Sequence, residues 1–160
     1  MRQFHLVLLA FTWLLALPAM ALDKAVETGW FNDTAIGGYD TVAYFTEGKP
    51  VEGDKKFKHE WRGAQWHFAS QENLDTFKAN PVQYAPQYGG WCAYAMSDEG
   101  RTVGVDPEAF YVHNGKLYLN YSKSVQKAWL ETRDTNIVEA DGFYPQTTDI
   151  NDWLKKEASF

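Results

Sequence analysis

One cysteine in a chain of 160 residues constrains how this protein can hold itself together. Cys92 has no partner for an intramolecular disulfide, so no covalent staple can limit the unfolded state. Stability has to come from buried apolar surface. Seven Trp, nine Tyr and ten Phe supply it, since each large aromatic ring buries about 150–250 Å². The N-terminus makes the isolation of the thiol sharper. Arg2 and His5 precede an apolar run from Leu6 to Leu17, and Pro18-Ala19-Met20-Ala21 follows. A basic start, an apolar stretch and a small-x-small end predict an export signal over residues 1–21, cleaved after Ala21. The apolar stretch is shorter than the roughly 20 residues of a membrane span, so no stable span is expected after cleavage. An uncleaved anchor is the alternative. A periplasmic or secreted location follows. In such an oxidising compartment a lone thiol is a buried small side chain, a ligand or a reactive group.

The formal charge is -6 and no basic cluster interrupts the chain, which argues against nucleic acid as a partner. The acidic balance fits solubility or weak attraction of cations. The Ser residues lack a nucleophile-elbow setting and no glycine loop leads into a basic residue, so hydrolase and phosphate-loop chemistry have no motif.

Turn residues divide the rest. Residues 22–38 read as an irregular lead-in, anchored by Trp30 and Phe31. Residues 39–145 read as one domain and 146–160 as a polar tail that docks through Trp153 and Leu154. Strands are expected at Val42–Phe45, Phe57–Trp61, Gln65–Ala69, Trp91–Met96, Ala109–His113 and Lys116–Tyr121. Arg62-Gly63 and Asn114-Gly115 are two-residue hairpin turns, and Gly89-Gly90 is a chain reversal. Ser70 caps a helix bearing Leu74 and Phe77; Ser122 or Ser124 caps one bearing Val125, Ala128 and Trp129. A third helical piece follows Asp134, with Ile137 and Ala140. No internal repeat is legible. The expected fold is α+β: a small, mainly antiparallel sheet built from hairpins, with two or three helices against it. Its core is expected from Trp61, Trp66, Phe68, Phe77, Trp91, Leu117, Leu119 and Trp129.

Strand alternation would set Cys92, Tyr94 and Met96 on one face. A thiolate, a thioether and an imidazole suit a soft transition metal, copper or iron, so the candidate ligands are Cys92, Met96, His67 and His113. Neither His-x-x-x-His nor Cys-x-x-Cys supports them. Each has a plainer reading: Cys92 as a packed small apolar residue, the histidines (His59 included) as hydrogen-bonded or solvent-facing groups. Asp98-Glu99-Gly100 and Asp106-Pro107 read as turns.

The stretch Gly63-Ala64-Gln65-Trp66-His67-Phe68-Ala69-Ser70, then Phe77, then Asn80-Pro81-Val82-Gln83-Tyr84, resembles a YHS domain. Asp40-Thr41-Val42-Ala43-Tyr44-Phe45 sits at the opening of that pattern, and the likeness covers about residues 39–88. Tyr88-Gly89-Gly90-Trp91-Cys92-Ala93 and Gly115-Lys116-Leu117-Tyr118-Leu119-Asn120-Tyr121 look like the exported, longer branch of the family. The resemblance implies a small α+β module. Its metal-associated members place cysteines at positions held here by Ala43, Ala69 and Asn73, so a thiolate cluster of that kind is absent from this sequence. The resulting reading is an exported binding or sensor module for a transition metal or small ligand near Cys92. A thiol-based redox protein or enzyme using Cys92, and an interaction domain without a small ligand, stand beside it. An enzyme would need a base near the thiol, and the sequence marks none. Intact mass of the exported protein is expected to start at Leu22; a full-length chain retained in the membrane fraction would contradict cleavage.

Overall fold

The computed structural model describes residues 21–29 and 31–159. The segment expected to be an export signal, apart from Ala21, and Trp30 lie outside the described residues. Among the described residues, four strands and seven α-helices follow in chain order. The helices are α1 (Ala43–Thr46), α2 (Gln71–Ala79), α3 (Pro81–Tyr84), α4 (Ala93–Ser97), α5 (Lys123–Glu131), α6 (Arg133–Thr147) and α7 (Ile150–Glu157). The strands are β1 (Asp54–Trp61), β2 (Ala64–Phe68), β3 (Asp106–His113) and β4 (Lys116–Asn120). The class is α+β, as expected, but the sheet is two separate antiparallel ribbons, β1-β2 and β3-β4. Both hairpin turns form where the sequence puts them. Arg62-Gly63 and Asn114-Gly115 all take positive φ, between 49° and 72°, the turn whose twist matches that of the flanking strands.

Two expected strands are helices. Val42–Phe45 enters α1, and Trp91–Met96 enters α4. A short apolar run does not reveal its period, so composition alone cannot separate a buried strand from a buried helical turn. In the first case the missed signal is Asp40. Its Oδ1 accepts from the amides of Val42 (2.9 Å) and Ala43 (3.3 Å), so it turns the chain as a capping residue does. In the second case α4 packs against α6, and Ala93 and Met96 are buried in the core.

The segments around the two ribbons repeat one plan, although the sequence shows no repeat. Each residue of 36–84 has a counterpart 52 positions later, as Asp54 has Asp106 and Ser70 has Ser122. Strands and capped helices match in length: β1 with β3, β2 with β4, α2 with α5. Both ribbons carry the same irregularity, between Asp54 and Lys58 and between Asp106 and Phe110. Individual hydrogen bonds recur. The Asp40 amide donates to the Val51 carbonyl (2.8 Å) and that of Cys92 to Val103 (2.9 Å). Asp54 Oδ1 accepts from the Lys56 amide and Asp106 Oδ1 from that of Glu108, both at 2.9 Å. Ser70 Oγ accepts from the Asn73 amide (3.1 Å) and Ser122 Oγ from that of Val125 (3.3 Å). Left-handed residues also coincide, at 36, 37, 38, 48, 62 and 63 and again at 88, 89, 90, 100, 114 and 115. The chain is thus two units of one design, 36–84 and 88–136.

Each unit has its own apolar cluster. Trp66, Phe68 and Phe77 centre the first; Met96, Tyr118 and Trp129 centre the second. A third cluster joins the units, with Ile36 and Tyr44 of one against Leu117 and Leu119 of the other. The Tyr44 hydroxyl donates across the same joint to the Pro107 carbonyl (3.0 Å). Of the expected core, Trp66, Phe68, Phe77, Leu117, Leu119 and Trp129 are fully buried, while Trp61 and Trp91 are half-buried at its margin.

The ends of the described chain are stitched together. The Ala25 amide donates to Asp149 Oδ1 (2.6 Å) and the Tyr144 hydroxyl to the Ala25 carbonyl (2.7 Å). Phe31, expected as an anchor, is fully exposed. The polar tail is helical. α6 runs through Pro145 to Thr147, and α7 follows. Trp153 does dock: its ring lies 2.9 Å from the point where a β-carbon would stand on Gly63. Arg62, which stacks on Trp61, grips Glu157 with two bonds of 2.9 Å. Phe77→Ala and Trp129→Ala, at matching positions, should each cost about 3–5 kcal/mol in urea unfolding, with Trp91→Ala costing less; a neutral result at both buried positions would contradict the two-unit core.

Candidate functional site

Cys92 is 1% exposed, yet it forms the floor of a cavity of about 490 Å³ in the second unit. Three surroundings meet there. The Tyr121 amide, where β4 passes into the cap of α5, donates to Sγ at 3.3 Å. The thiol faces Asn120 Oδ1 at 3.8 Å, and that oxygen accepts from the Tyr94 amide at 3.3 Å. Ala95, Val103 and Val125 form apolar walls, and Tyr94 and Tyr121, 38% and 61% exposed, stand at the mouth. Arg101 and Asp98 pair with each other at the rim. Asn136 completes the lining, its Nδ2 donating to the Trp129 carbonyl (3.1 Å) and to Thr132 Oγ1 (3.0 Å). The arrangement is concave, with aromatic and aliphatic surface around a few polar atoms, as small-molecule sites are.

The matching position in the first unit is closed. Asp40, fully buried, stands where Cys92 stands in the second. Its Oδ1 serves the Val42 and Ala43 amides, and its Oδ2 accepts from the Ala69 amide (2.8 Å) and from Asn73 Nδ2 (2.7 Å). The counterpart of the Ala69 amide is the Tyr121 amide, which meets Cys92. Where Asn73 reaches back to the carboxylate, its counterpart Val125 leaves the space open. Tyr84 of the first unit corresponds to Asn136, a smaller side chain.

These contacts decide whether a metal of the family's kind fits. Ala43, Ala69 and Asn73, the positions where metal-associated relatives carry cysteines, do converge, but on a carboxylate. Four N–H donors use the lone-pair directions of Asp40, and a shell of donors opposes a cation. Their counterparts Ala95, Tyr121 and Val125 line the Cys92 cavity and bring no ligand atom from their side chains except one phenol. The other sequence candidates take different partners. Met96 lies in the second core cluster with Sδ 3.8 Å from Thr147 Oγ1. His67 lines a different cavity, at the joint between the two units. His113 closes β3, half-buried, beside Asn114 (3.1 Å) and Asp134 (3.9 Å). Among the described residues no three His, Cys, Asp or Glu side chains are arranged to hold a metal ion. The donor set does not fit a thiolate-rich centre, which needs several converging ligands.

Sequence reasoning found Cys92, set Tyr94 on its face and offered Tyr94 and Tyr121 as aromatics able to line a groove, but it missed Asn120 and Asn136. Nothing in the sequence aligns 120–121 with 68–69 once the repeat is unseen. Asp40→Asn should cost about 2–4 kcal/mol, because an amide nitrogen would then face the Ala69 and Asn73 donors inside a buried site. Thermal or urea unfolding measures this, and a loss under about 0.5 kcal/mol would mean that the carboxylate is not the anchor of the first unit.

No match was found among curated proteins or solved structures. Residues 42–88, which run from the start of α1 to the turn before Cys92, match the family model of the YHS domain.

Proposed function

We propose that this protein is an exported binding module whose second unit takes a small, uncharged and mainly apolar molecule against Cys92. The observation that carries the reading is a thiol on the floor of a cavity of about 490 Å³ walled mainly by aliphatic and aromatic side chains, with Ser97 and Asn136 as uncharged polar lining, at the position that the first unit keeps shut with Asp40. Ala95, Val103 and Val125 favour an apolar body by burial. Tyr94 and Tyr121 offer rings to its exposed edge. The Arg101–Asp98 pair satisfies itself, so the rim brings no unpaired charge for an ionic ligand. Export rests on the N-terminal segment read above, and it suits a thiol shielded from oxidants by burial.

The test uses indole as the probe and the single thiol as the reporter. In the folded protein iodoacetamide should modify Cys92 at least about a hundredfold more slowly than in urea, as expected of a residue that reacts only through opening. Saturating indole should slow the native reaction further. Val125→Trp, which fills the cavity, should abolish that protection while leaving the protein folded by circular dichroism. Native labelling indifferent to indole, or ready formation of a covalent dimer through Cys92, would overturn the reading and favour an interaction surface.

A further inference from the structure

We propose a second binding site, at the joint between the two units, for a small organic ammonium ion that carries an additional hydrogen-bond donor, held by Glu27 and His67. The two side chains line one cavity of about 510 Å³, with Tyr39 and Glu52 from the first unit and Val105 and Pro107 from the second.

His67 is the first reason. It is 6% exposed, and its ring makes no hydrogen bond among the described residues. Its ring nitrogens are not sealed from solvent, so their partner has to come from the cavity, and a polar side chain set so deeply asks for an explanation. The fold does not supply it. The counterpart of His67 in the second unit is Leu119, which is fully buried in the core, so this strand position accepts a plain apolar side chain. An imidazole here is a departure from the shared design. It faces a glycine: a β-carbon on Gly38, whose φ is +87°, would stand 3.1 Å from His67 Nδ1. Burial, together with Lys55 and Lys58, holds the imidazole below its usual pKa. The shift favours the neutral ring, which keeps one nitrogen as an acceptor.

Glu27 is the second reason. No Lys or Arg pairs with it among the described residues, and the nearest cation in the sequence, Lys24, is held by Asp33 at 3.1 Å. Burial pushes the Glu27 carboxyl up, offset only in part by the Ile36 amide. A half-buried carboxylate without a cation gains from one that enters with the ligand. Glu52 adds a second negative charge to the lining, against which Lys55 is the one basic side chain. Two carboxylates and a neutral acceptor disfavour an anion. A bare metal ion is disfavoured too, since three suitable ligands do not converge among the described residues. An ammonium group brings its own N–H donors to Glu27, and a hydroxyl or second N–H satisfies His67.

Three compounds of nearly equal size separate the charge classes: ethanolamine, ethylene glycol and glycolate. Each is titrated into the mature chain at pH 7 while the His67 ring Cε1–H signal is followed by NMR. Ethanolamine should give a saturable shift at His67, with the neutral and anionic compounds at least about tenfold weaker, the loss expected for removing one charge-assisted contact. Glu27→Gln should weaken ethanolamine about tenfold with the melting temperature retained. Cys92→Ser should leave ethanolamine binding unchanged, which keeps this result separate from the fate of the Cys92 cavity. The proposal falls if glycol or glycolate binds as well as ethanolamine, if none of the three gives a saturable shift at His67, or if Glu27→Gln binds as the natural chain does.

Discussion

Four N–H groups from three parts of the chain converge on the carboxylate of Asp40, and the first unit is organised around that point. Val42 and Ala43 bring the start of α1, Ala69 brings the end of β2, and Asn73 brings the first turn of α2. Each would lose its acceptor if the carboxylate were removed, and the loss is most costly for the amides of Val42 and Ala43, which are buried away from water. The second unit has the same geometric problem and answers it with two side chains. Cys92 meets the amide of residue 121, and Asn120 meets that of residue 94. A thiol and a carboxamide attract weaker bonds than a carboxylate does. The second unit is the looser of the two at this point, and it is the one with a cavity.

The two units therefore show how one scaffold can carry a lock and a pocket at equivalent positions. Asn73 fills its site and Val125 does not. Asp40 is saturated by donors, while the sulfur of Cys92 has one amide and one neighbouring oxygen. The joint between the units is a separate matter. Ile36 and Tyr44 packed on Leu117 and Leu119 hold the ribbons together, and the lead-in crosses this joint, with the Glu27 amide donating to the Gly89 carbonyl at 3.0 Å. Glu27 and His67 face the cavity beside that crossing.

Much of the local structure was legible because its signals are short-range. Asn114-Gly115, Arg62-Gly63, Ser70 and Ser122 each act within four residues, and the α+β class followed from them. Trp66, Phe77 and Trp129 read as core because large aromatics on an amphipathic element have few other places to go. The helices α1 and α4 did not read, since four or five apolar residues fit either period. The repeat was hidden for a different reason. The units share mainly turn, cap and bend residues, such as Gly37-Gly38 with Gly89-Gly90, Asp54 with Asp106 and Ser70 with Ser122, while the strand faces were rewritten, as His67 and Leu119 illustrate. Backbone demands outlast side-chain identity. The cavity over Cys92 depends on residues 94, 120, 121 and 136, which only the folded chain brings together.

The clasp of Arg62 and Gly63 by Glu157 and Trp153 has a bearing on the order in which the molecule can be completed. The first hairpin is synthesised some ninety residues before Trp153 and Glu157, which cover its turn. The lead-in waits in the same way, because Asp149 and Tyr144 hold Ala25. Neither contact can form until residues 144–157 have left the ribosome. Ala25 and the turn at Arg62-Gly63 therefore stay unsecured on the growing chain until those later partners emerge, so this part of the molecule can be completed only late in folding.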